Sequence, residues 1–152
     1  MKTLALLALT LVTQSAFAVA NFSGTWAGAG LAQFSVGDIQ QAPAGTLNLV
    51  IQQDETKLAI VQDNFNFGDG ATMQLSMNPT FEIRNGTELW YNNGRKTSQV
   101  GTISDEGFTV SADVTGNGWI EGWNARLENG ILKYNYSAGM GGFIESATLT
   151  KK

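Results

Sequence analysis

The chain has 152 residues, with 9 Lys and Arg against 13 Asp and Glu, a net charge of −4, and neither histidine nor cysteine. That length suits one domain and hardly two. The missing His and Cys remove the usual general base, thiol nucleophiles, disulfides and the commonest transition-metal and haem ligands, while scattered acids without a basic patch argue against nucleic acid or an anionic membrane as partner.

The chain opens on a leader. Met1-Lys2 is a short basic start, Thr3 to Val12 is apolar and free of acids, and Ala16-Phe17-Ala18 puts small residues at the two positions a signal peptidase reads. Residues 1–18 therefore read as a secretory signal peptide, too short and wrongly flanked for a membrane span. Ala18-Val19-Ala20 offers a second cut two residues on. Residues 19–152 remain, enough to bury a core without disulfides. Lys2 leaves with the leader, so the mature part holds 8 basic against 13 acidic residues, a net −5. No cysteine follows for lipid attachment, and no later apolar run could span a bilayer as a helix. The expected location is secreted or periplasmic.

Helix signals are nearly absent from the mature part. Phe22, Gly24, Trp26, Gly28 and Gly30 share one face of an opening strand over 22–34. Residues 37–45 carry Pro43 and little pattern, and read as a loop with room for one helical turn. Leu47, Leu49 and Ile51 share a face before a turn at Asp54 to Lys57. In Leu58 to Phe67, Phe65 and Phe67 oppose Asn64 and Asn66, and Met73, Leu75 and Met77 alternate with polar residues up to the break at Pro79. From Phe81 on, turn signals at Asn85-Gly86, Asn92-Asn93-Gly94, Asp105-Glu106-Gly107, Gly116-Asn117-Gly118 and Glu128-Asn129-Gly130 recur at the spacing of an antiparallel meander. The intervening strands are 87–91, 96–103, 108–115, 119–127, 131–137 and 143–150. The fold class is all-β, an antiparallel up-and-down barrel of about 8–10 strands. Closure removes the exposed edges. A two-sheet sandwich needs longer crossing connections. A membrane barrel usually ends on an aromatic residue and carries aromatic girdles, whereas this chain ends Thr148-Leu149-Thr150-Lys151-Lys152.

Gly24-Thr25-Trp26, at the head of such a meander, resembles the Gly-x-Trp opening of the lipocalin and avidin-like (calycin) barrels. The resemblance implies that Trp26 packs across the closed end of the barrel, under an arginine from a late strand, for which Arg126 is the candidate. No C-terminal helix of the lipocalin kind is in the sequence, which points to the shorter avidin-like or related barrels. Avidin's biotin-contacting residues have no counterparts here, so biotin binding does not carry over. Independently of any family, a first strand that bends to close a barrel needs residues without Cβ at the bend.

Motifs for catalysis are missing: there is no Gly-x-Ser-x-Gly elbow and no phosphate-cradling loop. Asp105 and Glu106 sit in a tight turn, where acids are ordinary. The oxygens of Asp63, Asn64, Asn66 and Asp69 suit calcium, but strand alternation explains their spacing better. The chain reads as no enzyme, with no cofactor and no metal. Trp119, Glu121 and Trp123 share a face by parity, and a carboxylate between two indoles could anchor a polar or cationic group in an apolar cavity. The plainer alternative, an outward face with Glu121 solvated, has the edge. Phe65, Phe67, Met73 and Met77 would line a pliable wall, although each one alone is better explained as core. Tyr134 and Tyr136 point inward with Leu132, and their hydroxyls need partners.

The expected function is a secreted binding protein that holds a small, mostly apolar ligand through Phe65, Phe67, Met73, Met77, Trp119, Glu121, Trp123, Tyr134 and Tyr136. The alternative is a protein-interaction or inhibitor barrel with a filled interior. The leader can be checked at once: the intact mass of exported protein should start at Val19, and a mass starting at Met1 would contradict it.

Overall fold

The computed structural model describes residues 19–36, 39–139 and 143–152, and the leader expected over 1–18 lies outside them. Among the described residues every regular element is a strand: β1 (Gly24–Val36), β2 (Ile39–Gln41), β3 (Ala44–Gln53), β4 (Lys57–Phe67), β5 (Thr72–Gln74), β6 (Thr80–Arg84), β7 (Glu88–Asn92), β8 (Thr97–Ile103), β9 (Gly107–Ala112), β10 (Glu121–Glu128), β11 (Ile131–Ala138) and β12 (Phe143–Lys151). β1, β3, β4 and β6 to β12 form a ten-strand antiparallel ring, and β12 returns to pair with β1. The up-and-down barrel is therefore closed, and no long edge is left to recruit another chain.

Two short strands thicken one end, here called the upper end. β2 folds back on the end of β1, with Phe34 opposite Gln41. This corrects the loop and helical turn expected over 37–45: residues 39–41 are extended and β3 begins at Ala44, while 37 and 38 lie outside the described residues. β5 pairs with the upper half of β4 and β6 with its lower half. The break between them falls where Asn78 takes a left-handed conformation (φ 51°) before Pro79.

The hairpin signals perform as their backbone chemistry requires. Asn129 and Gly130, at φ 53° and 78°, join β10 to β11 as a two-residue turn, with Glu128 opposite Ile131. Asn85 and Gly86 are also left-handed, but Arg84 pairs with Glu88, so Thr87 lengthens that link by one residue.

Alternation sends apolar side chains inward and polar ones out. Thr46, Gln52, Lys57, Glu82, Thr109, Asn124, Lys133 and Thr148 are exposed on the outer wall, the reverse of a lipid-facing band. No described helix is long and apolar enough to cross a membrane. The lower half of the interior is filled by Phe22, Trp26, Leu49, Ile51, Leu58, Leu89, Ile103, Phe108, Leu132 and Leu149, all buried. Phe22 reaches across the floor to meet Phe108 edge-on, with centroids 5.4 Å apart.

One irregularity sets what the upper half contains. In the β3–β4 ladder Val50 faces Gln62 while Ile51 faces Ile60, so Val61 is an extra residue on β4, and it is exposed. Below this bulge the inward residues of β4 are Leu58 and Ile60; above it they are Asp63, Phe65 and Phe67. A bulge re-aims the side chains that follow it, and here it turns a carboxylate into the barrel.

The Phe65 ring explains one glycine of the opening strand, Gly30, and its partner on β3. Gly30 of β1 pairs with Gly45 of β3. A Cβ on Gly45 would collide with the Phe65 ring and the Asn66 carbonyl, and one on Gly30 would stand 3.1 Å from both the ring and Glu145 Oε1. The missing side chains are the seat of an aromatic ring from the next strand.

Trp26 is buried in the lower half and its Nε1 donates to the Phe22 carbonyl oxygen at 2.9 Å. The arginine expected above it is elsewhere. Arg126 is exposed on the outer wall, 3.1 Å from Glu128, because it alternates with the inward Ala125 and Leu127. The cation near the indole is Lys151 of the last strand, with Nζ 5.5 Å from the ring centroid. Trp26→Ala should lower stability by about 3–5 kcal/mol if the site does not collapse. An unchanged midpoint in a urea titration would contradict this placement.

Candidate functional site

Three carboxyl groups enter the upper half of the barrel: Asp63 from β4, Glu121 from β10 and Glu145 from β12. All are buried, Asp63 and Glu145 at 0 % exposure. Two tyrosines of β11 meet them. Tyr134 Oη donates to Asp63 Oδ2 at 2.6 Å, and Tyr136 Oη donates to Glu121 Oε2 at 2.8 Å. The first bond joins strands on opposite flanks of β12, β1 and β3, whose inward Ala147, Gly30 and Gly45 lie in one cross-strand row with Tyr134. Small residues in that row leave the tyrosine room to reach across the interior.

The remaining polar atoms are not all matched. Asp63 Oδ1, both oxygens of Glu145 and Trp123 Nε1 are buried with no hydrogen-bond partner among the described residues. Buried polar groups without partners are rare, and each one calls for a reason. The wall around them is aromatic. Trp123 lies 5.5 Å from Tyr136 and 5.6 Å from Phe81, Phe81 lies 5.7 Å from Tyr91, and Phe65 and Phe67 stack edge-on at 5.0 Å. Phe34 continues this surface, 6.2 Å from Phe67.

Burial governs the protonation of the site. It pushes Asp63 up to about 7, with the Tyr134 hydrogen bond opposing and the Glu121 charge reinforcing the shift. Glu145, desolvated and close to the Asp63 charge, rises to about 9. Glu121 is raised by burial against the opposing Tyr136 bond. Burial and the neighbouring carboxylates also raise both tyrosines. At neutral pH the Glu145 carboxyl is thus mostly protonated, so it can donate as well as accept.

Of the residues singled out in the sequence, the fold brings Phe65, Glu121, Trp123, Tyr134 and Tyr136 into this interior, all buried. Glu121 is inward, which overturns the preference for a solvated position. Phe67 and Met73 are half-buried at the upper end. Two others are not in the interior. Met77 is 66 % exposed because the alternation expected through 73–77 ends with β5 at Gln74. Trp119 is 63 % exposed because β10 starts only at Glu121; its ring lies against Gly139 on the upper rim. From the sequence, Asp63 is weighed only as a calcium ligand and Glu145 is not singled out. Their signals were present: Asp63 alternates with Phe65 and Phe67, and Glu145 with Ala147 and Leu149. Asn64 and Asn66 lie on the opposite face from Asp63, as strand alternation requires and a calcium loop would not.

No protein-family model and no curated protein matches this chain. Among solved structures it is similar to Rv2717c from M. tuberculosis, at 16% sequence identity and a TM-score of 0.51, over 91% of this chain and 94% of that one. A likeness at that identity shows the barrel fold, and that protein's name states no ligand or activity.

The buried carboxyls set a pH dependence whose sign can be worked out. In the unfolded chain Asp63 and Glu145 titrate near about 4, whereas in the folded protein they hold their protons to about 7 and about 9. Between these limits the folded state binds more protons, so its stability is highest at the acidic end and falls as pH rises. Asp54, Glu82, Glu88 and Glu128, which hydrogen bonds pull below their ordinary values, weaken the fold only in more acid solution. The melting temperature should therefore be higher at pH 5 than at pH 8.5, and Glu145→Gln should shrink the difference. A melting temperature that rises between those pH values would contradict the buried placement.

Proposed function

We propose that the chain is an exported, non-catalytic binding barrel that holds a small molecule with a mostly apolar body in its upper interior. One observation carries this reading: buried hydrogen-bonding atoms of Asp63, Glu145 and Trp123, partnerless among the described residues, lie on an inner wall that is otherwise mostly apolar and rich in aromatic rings. Ligand sites are mostly apolar with a few placed polar groups, and this interior has that composition. The asymmetry of the barrel supports it further. The lower half is packed with apolar side chains, and the inward carboxyls are confined to the upper half. The calycin resemblance fits the same reading, since small closed barrels of that kind hold one small ligand.

The alternative, a protein-interaction barrel, draws on exposed Trp119 and Ile120 beside the upper rim. The two readings separate in a ligand screen with fatty acids, polyenes and aromatic dyes. A bound ligand should quench Trp123 and raise the melting temperature, by about 2.7 kcal/mol of added stability at a hundredfold excess over Kd. If no compound moves either signal and the interior proves solidly packed, the interaction reading takes over.

A further inference from the structure

We infer that the polar end of the ligand is a cationic ammonium group, received between Asp63 and Glu145 and walled by the aromatic rings of the upper interior. This inference rests on the binding-barrel reading and narrows it to one class of ligand.

The unmatched atoms are lopsided. Against the single donor Trp123 Nε1 stand Asp63 Oδ1, Glu145 Oε1 and Glu145 Oε2, which are all acceptors once ionised and match in number the three N–H donors of a primary ammonium. Among the described residues, the groups that face them supply no cation. β4 contributes Asp63, β7 Tyr91, β10 Glu121, β11 Tyr134 and Tyr136, and β12 Glu145; the described inward residues of β1, β3, β6, β8 and β9 are uncharged. Lys133 and Arg126 point out, and Lys151 is at the lower end near Trp26. A second, separate feature also fits a cation: Phe81, Tyr91, Trp123 and Tyr136 form a cluster of mutually tilted rings in the same interior, and aromatic surroundings favour positive over negative charge in a desolvated site.

No group of three or more acidic side chains among the described residues converges closely enough to hold a metal ion. An organic ammonium needs no such closed ligand set, and its body would lie against the apolar wall. An anionic head group, such as a fatty acid carboxylate, would find no cation among the described inward residues and could be received only while Asp63 and Glu145 keep their protons.

Proton balance gives this reading its own signature. Ammonium binding favours ionised Asp63 and Glu145, so near neutral pH a proton leaves the protein as the cation enters. Affinity therefore rises with pH until the carboxyls are ionised, and falls again where the amine itself loses its proton.

The test is calorimetry on the exported protein with three ligands that share one body: 4-phenylbutylamine, 4-phenylbutanol and 4-phenylbutyrate. The amine should bind at least about tenfold more tightly than the alcohol, equivalent to about 1.4 kcal/mol, and the acid most weakly. Titrations in buffers of different ionisation enthalpy should show proton release with the amine alone. Asp63→Asn combined with Glu145→Gln should remove the preference for the amine and keep binding of the alcohol. Because these changes replace desolvated carboxyls with amides of the same shape, a retained melting transition confirms that the variant is folded. If alcohol or acid binds as well as the amine, or if the amine releases no proton, the cation inference is overturned and the binding barrel stands. If the apolar screen also yields nothing, both readings fail together.

Discussion

The hydrogen bond from Tyr134 to Asp63 organises the upper half of this barrel. It is buried, short and formed between strands that are not neighbours in the ring. An ionised carboxylate in such a place costs several kcal/mol of solvation unless hydrogen bonds or opposite charges offset it. Here one tyrosine hydroxyl supplies a bond and no cation among the described residues offsets the charge, so the balance moves to protonation instead. The same constraint acts on Glu145, which lacks even the tyrosine. The interior is thus an acidic site whose charge depends on what enters it.

Two local features of the backbone make that site possible. The Val61 bulge reverses the facing of β4 and delivers Asp63 to the inside, a change that a regular strand starting from inward Leu58 and Ile60 could not make. Gly30 and Gly45 then leave space for the Phe65 ring, which would otherwise collide with their side chains. The bulge and the glycines each weaken regular strand structure, and their cost is offset by aromatic packing on one side and by the apolar lower half below. The floor, with Phe22 against Phe108 and Trp26 bonded to the Phe22 carbonyl, holds the barrel together without a polar group from the site above.

Much of this was legible in the chain. The meander follows from the Asn-Gly and related turns, and the inward facing of Tyr134, Tyr136, Phe108 and Val110 follows from simple alternation. What alternation alone could not give was any facing that depends on a bulge or on where a strand starts. Parity counted without a break joins Trp119 to Trp123, but the chain between Gly116 and Gly118 is still turning, and Trp119 ends on the rim. Met77 fails for a similar reason, beside the left-handed Asn78. Arg126 was assigned by family analogy against its own parity, and parity prevailed. Glu145 was readable from its alternation with Ala147 and Leu149, but a carboxylate is expected outside, and only the three-dimensional neighbourhood shows it buried.

The central claim is that the upper interior holds desolvated carboxyls. Carboxyl-carbon NMR, with Asp63 and Glu145 assigned by Asp63→Asn and Glu145→Gln, reads this directly in the ligand-free protein. The account predicts titration of Asp63 near about 7 and of Glu145 near about 9. Titration of both near the ordinary value of about 4 would mean that water reaches them freely, and would contradict it.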